Sequence, residues 1–250
     1  MNTKHGSFWY VAAKALAVLS FAAGLIVPTG AAAKADSSST VLSSHQSLAA
    51  GQAVNLVISG DLGGDVHIIG SGGNDVSVTA KPKGTLADRV ELTTSRDSRA
   101  LRINLDLRSG SSSWRTWMHW HNTNVEVVMR VPRKAAVAVT NINGPVLVDN
   151  ATGRLTVRVV NGPIEVNGAG SVLSLQCTNG PIDVNIADLS AVPDIDMNTT
   201  NGAIDVRVPK AFKAVVTART VFGSVDTDVP SGPGRMSLHV VAGAISVGRS

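Results

Sequence analysis

Six related segments recur along the second half of the 250-residue chain: 143-NGPVLV, 161-NGPIEV, 179-NGPIDV, 201-NGAIDV, 222-FGSVDT and 242-AGAISV. Their starts lie 18, 18, 22, 21 and 20 residues apart. Self-similarity at such a period marks a stacked-repeat architecture, in which each repeat buries its apolar face only against its neighbours. Asn-Gly between apolar alternations would otherwise signal a β-hairpin. Pro145, Pro163 and Pro181 argue against one. The residue after a tight turn donates its N–H across the hairpin, and proline has none. In a coiled parallel strand the corner lies outside the ladder, and proline is tolerated there.

The columns flanking the corner support this reading. Six residues before it stand Val137, Leu155, Leu173, Ile195, Val216 and Met236, and four before it Val139, Val157, Leu175, Met197, Ala218 and Leu238. Three after it come Val146, Ile164, Ile182, Ile204, Val225 and Ile245, and five after it Val148, Val166, Val184, Val206, Thr227 and Val247. Residues two apart share a strand face, so these four columns point to one interior. Arg158, Gln176, Asn198, Arg219 and His239 form an outward column. The expected fold is all-β, a single-stranded parallel β-helix (β-solenoid) with 18–22 residues per coil.

The structural corners are Asn143, Gly144, Asn161, Gly162, Asn179, Gly180, Asn201, Gly202, Gly223 and Gly243. A residue before proline avoids the α region. The left-handed conformation is therefore expected at Asn143, Asn161 and Asn179, with the glycines extended in a region closed to other residues. Stacked at about 4.8 Å, the asparagines are expected to form an amide ladder.

Residues 1–35 read as a signal peptide: Lys4 and Lys14, the apolar run 15-ALAVLSFAAGLIV-27, and a small-x-small site at Ala33-Lys34-Ala35, with Ala33 an alternative cleavage point. The apolar run is short for a membrane anchor. Its removal takes three lysines and no acid, lowering the formal net charge from +4 to +1, which gives no case for nucleic-acid binding. No integral membrane segment is expected after cleavage. Residues 36–48 are expected to be a flexible mature N-terminus, 49–133 irregular β coils forming a cap, and 134–250 the regular coils. A separate β-sandwich over 49–133 is the alternative. Within 49–133, 64-GDVHI-68 and 75-DVSV-78 resemble degenerate corners.

The run 125-VEVVMRVPRKAAVAVTNINGPVLV-148, the N-G-x-I-x-V coils after it and the early G-D-V-x-I element resemble the bacterial "putative adhesin" family of exported domains. The resemblance spans approximately residues 50–250. It implies a β-helix, commonly right-handed, in extracytoplasmic proteins, and it brings no catalytic motif. Phe222 and Ala242 depart from the family's asparagine at the last two corners.

Among candidate sites, Cys177 is the only cysteine, falls in an inward column and reads as a buried inert thiol. Glu165, Asp183, Asp205 and Asp226 fall at one outward position of four coils, a solvated face or a cation site. The stretch 109–124 holds Trp114, Arg115, Trp117, His119, Trp120 and His121, the candidate ligand- or partner-binding residues. Aromatics in a Ser/Gly-flanked loop suit sugar rings or another flat ligand, and equally suit sealing the end of a core. His119 and His121 lack a placed third ligand, so no metal and no cofactor is predicted. No nucleophile elbow, zinc-protease or phosphate-loop motif occurs.

The expected function is an exported, non-enzymatic, adhesin-like binding or structural module, periplasmic, secreted or on the cell surface. Its partner would be a surface, a glycan or an envelope protein, with self-association through the solenoid ends as a further expectation. The alternative is a carbohydrate-active β-helix hydrolase or lyase using Asp183 and Asp205.

Overall fold

The computed structural model describes residues 41–59, 62–84, 86–108, 123–170, 172–189 and 191–249. The signal segment and the stretch 109–122 lie outside the described residues. Most strands follow an alternation of apolar and polar residues. The first seven are β1 (Leu42–Ser47), β2 (Ala53–Ile58), β3 (Gly63–Ser71), β4 (Asp75–Lys83), β5 (Val90–Arg96), β6 (Ala100–Leu107) and β7 (Asn124–Pro132). The repeats then supply strand pairs around each corner: β8 (Val137–Asn143) and β9 (Val146–Asp149), β10 (Leu155–Asn161) and β11 (Ile164–Ala169), β12 (Val172–Asn179) and β13 (Ile182–Ile186). The remaining pairs are β14 (Asp194–Asn201) and β15 (Ile204–Val208), β16 (Ala214–Phe222) and β17 (Val225–Thr227), β18 (Gly234–Ala242) and β19 (Ile245–Arg249).

These strands stack into two faces that meet at the corners. The first face runs β5–β6–β2–β8–β10–β12–β14–β18–β16. The second runs β1–β4–β7–β3–β9–β11–β13–β15–β19–β17. Neighbouring coils pair in parallel and in register, Leu155 beside Val137 and Leu173, Ile164 beside Val146 and Ile182. The parallel β-solenoid is therefore the fold. One apolar core runs through it from Leu42 to Val247.

Three features differ from the sequence reading. Residues 42–47, placed in a flexible N-terminus, form β1: the polar LSSHQS lacks an apolar alternation, and antiparallel pairing with β4 holds it. The pairings β1–β4, β4–β7 and β5–β6 are antiparallel, so 75-DVSV-78 starts an end strand rather than a corner. The coils also do not stack in chain order. β18 and β19 lie between β14/β15 and β16/β17. The chain passes over one coil height between Val208 and Ala214, forms the terminal coil, and returns to fill the gap. The intervening segment is anchored by Phe212, whose side chain is fully buried and whose backbone N–H donates to the Pro209 carbonyl. Alternation specifies which way a side chain points but not which coil a strand adjoins, because the inward columns are nearly interchangeable.

Candidate binding surfaces beside the corner

The corners form one continuous stack in the order Gly64, Gly144, Gly162, Gly180, Gly202, Gly243, Gly223. A Cβ on Gly162 would lie 2.4 Å from the Gly144 carbonyl oxygen, and one on Gly243 2.1 Å from that of Gly202. Only glycine allows coils to approach this closely. The positive φ also belongs to glycine, 116° at Gly144 and 142° at Gly162, while Asn143, Asn161 and Asn179 keep ordinary backbone angles. This corrects the expected left-handed asparagines. Each asparagine ends a strand and must keep its place in the parallel ladder, so the bend falls on the residue without a Cβ. Gly144 N–H donates to the Asn161 carbonyl and Val146 N–H to the Pro163 carbonyl, so the ladder continues around the bend without a proline donor.

The amide ladder is present. Asn161 Nδ2 donates to Asn143 Oδ1 at 2.9 Å, Asn179 to Asn161 at 2.8 Å and Asn201 to Asn179 at 2.8 Å. It ends at Ala242 and Phe222, which have no side-chain amide. Inside the corner, side chains two positions earlier donate to glycine carbonyls of the adjoining coil: Asn141 to Gly64 at 2.7 Å, Cys177 to Gly162 at 3.3 Å, Thr199 to Gly180 at 3.0 Å and Thr220 to Gly243 at 3.0 Å. Cys177 is thus a buried thiol with a structural hydrogen bond, and burial pushes its pKa up. Sequence reasoning placed this column inside but missed its shared acceptor. Asn141, Cys177, Thr199 and Thr220, recurring in an inward column shared with Val159 and Val240, were the available signal.

Two surfaces flank this ridge. On the first face lies a shallow groove of about 580 Å³. It is lined by the outward column Thr140, Arg158, Gln176, Asn198 and His239, and by Ile142, Val160 and Val241 beside the corner. Arg158 Nε donates to Gln176 Oε1 at 3.1 Å, bridging adjacent coils. The groove therefore presents one polar side chain per coil, repeating at the strand spacing of about 4.8 Å, next to a mixed strip of Ile142, Val160, Thr178, Thr200 and Val241.

On the second face a smaller recess of about 250 Å³ is lined by Glu165, Asn167, Asp183, Asn185, Asp205 and Arg207. Glu165, Asp183 and Asp205 are adjacent in register. Asp226 is not the fourth member: Ser246 of the inserted coil stands between it and Asp205. Partial burial raises the Asp183 pKa, reinforced by the Asp205 and Glu165 carboxylates and opposed by Arg207. Among the described residues no group of three or more His, Cys, Asp or Glu is arranged to hold a metal ion.

Trp114, Arg115, Trp117, His119, Trp120 and His121 all lie outside the described residues. The ends of their segment are placed. In sequence it lies between β6 and β7, and Asn124, the first residue of β7, lies in register with Gly63. Among the described residues no helix is long and apolar enough to cross a membrane.

No protein-family model matches the chain, and no curated protein matches it. Among solved structures, a "putative cell adhesion protein" from Clostridium sporogenes is similar with a TM-score of 0.52 and 12% identity, over 84% of this chain and 100% of that one. A "putative adhesin" from Bacteroides fragilis matches over 83% of this chain and 96% of that one at 11% identity, with a TM-score of 0.29. The chain shares its fold with the Clostridium protein, in agreement with the β-helix expected from its N-G-x-I-x-V corners.

Proposed function

We propose that the chain is an exported, non-enzymatic binding module of the cell envelope or surface, which holds an extended partner along the first-face groove. The observation that carries this is the groove's regularity. Arg158, Gln176, Asn198 and His239 come from adjacent strands, one per coil, with Val160, Thr178, Thr200 and Val241 alongside. A row of hydrogen-bonding groups at fixed spacing, flanked by a strip of aliphatic and threonine side chains, suits a linear chain, a glycan or an extended peptide, more than a compact metabolite. Trp114, Trp117 and Trp120 would add stacking contacts.

The test is retention on cell-wall glycan and on intact cells. Replacing Arg158 and His239 with alanine is expected to lower retention at unchanged thermal stability, since both side chains lie on the outer face. Alanine at Trp114, Trp117 and Trp120 measures the aromatic contribution separately. Retention unaffected by both sets would contradict the proposal. The raised pKa of Asp183 beside Asp205 favours the glycoside-cleaving alternative. That reading requires glycan turnover lost in Asp183→Asn, and a chain that binds glycan without cleaving it excludes it.

A further inference from the structure

The two ends of the solenoid are built differently. At the β1/β5 end, antiparallel strands fold over the core and bury Leu42, Val90 and Leu92. At the other end β16 and β17 pair with β18 and β19 on one side, and their opposite edges meet no further strand among the described residues. Inward residues are left incompletely covered there: Val216 and Ala218 are only partly buried, and Val225 is 44% exposed. Outward, Val215 is 55%, Val221 61% and Phe222 71% exposed. A parallel edge with an apolar flank is a template for another strand.

We infer that this end is a homodimer interface in which β16 pairs antiparallel with β16 of a second copy about a two-fold axis at Ala218. The sequence of β16, 214-AVVTARTVF-222, is self-complementary in the one register that pairs the whole strand. Ala218 then faces its own copy. Val216 meets Thr220 inside, and outside Val215 meets Val221 and Thr217 meets Arg219. No two arginines oppose each other, whereas a shift of one residue on each chain would set Arg219 against Arg219, an unfavourable like-charge pair. The same register lays the exposed Val215 and Val221 together on both sides of the axis and covers the partly open Val216. An isologous contact closes after two copies, so it caps the edge without generating fibres. The formal charge of +1 on residues 36–250 opposes association little.

Sedimentation velocity of the purified chain is expected to show a concentration-dependent monomer–dimer equilibrium. Val215→Lys combined with Val221→Lys changes only exposed outward side chains and is expected to weaken the dimer roughly tenfold or more. In a Cys177→Ser background, Ala218→Cys is expected to form a disulfide-linked dimer on mild oxidation, because facing residues of an antiparallel pair fall within disulfide reach. Thr217→Cys, opposite Arg219 rather than itself, is expected to cross-link far less. A folded chain that stays monomeric at its highest soluble concentration would overturn the inference. So would a dimer indifferent to both lysines, or one whose Thr217→Cys form links as readily as its Ala218→Cys form.

Discussion

Partial burial and the facing carboxylates of Asp205 and Glu165 hold Asp183 above its ordinary value of 3.8. Such an acid binds more protons folded than unfolded, so stability falls as pH rises from 3.8 through the folded pKa. Asp183→Asn is therefore expected to raise the thermal midpoint at neutral pH and to leave it nearly unchanged in strong acid. Parallel melts of the two proteins across pH check this, and an equal shift at every pH would contradict it. Gly162 makes a second case at this scale. Its φ is 142°, and a Cβ there would lie 2.4 Å from the Gly144 carbonyl oxygen, which leaves no room for a side chain. Gly162→Ala is expected to cost at least about 1–3 kcal/mol, from backbone strain alone, in a denaturant titration. The need for glycine at this corner was legible from the Asn-Gly-Pro run. The division of labour was not, because the pre-proline rule names a forbidden region without saying which residue absorbs the bend.

At the scale of the element, each coil is held by its ladder, its inward columns and the asparagine row. Asn179 donates one amide bond and accepts another. Asn179→Ala should lower stability by about 1–2 kcal/mol, two modest hydrogen bonds, as read by urea unfolding. Asn201→Ala removes only its bond to Asn179 on the ladder and is expected to cost about half as much. The row was readable in advance because identical residues at one repeat position must stack at the strand spacing. The Asn141, Cys177, Thr199 and Thr220 donors were harder to see. Their acceptor is a backbone carbonyl of the adjoining coil, and a sequence carries no sign of where a carbonyl points.

For the whole molecule, the repeat period and the inward columns disclosed a parallel solenoid, while the order of its coils stayed hidden. Ile195, Met236 and Val216 hold the same inward position of the repeat, so composition does not say whether β14 adjoins β16 or β18. The antiparallel cap was equally hidden, since alternation has no direction. Of the two surfaces, the outward column Arg158, Gln176, Asn198 and His239 was visible as a column but not as the wall of a groove. The acidic row was visible with one member too many, because Ser246 enters between Asp205 and Asp226 only through the exchange of coils.

That exchange places the groove's His239 beside Asn198 and leaves β16 and β17 at the open end. It is tested most directly by paired cysteines on the outer face in a Cys177→Ser background. Asn198→Cys with His239→Cys joins residues adjacent in register and is expected to form a disulfide readily under mild oxidation. Asn198→Cys with Arg219→Cys would be adjacent only if the coils stacked in chain order, and with β18 between them it is expected to stay reduced within one chain. The reverse outcome, Asn198 linking to Arg219 and not to His239, would contradict the architecture.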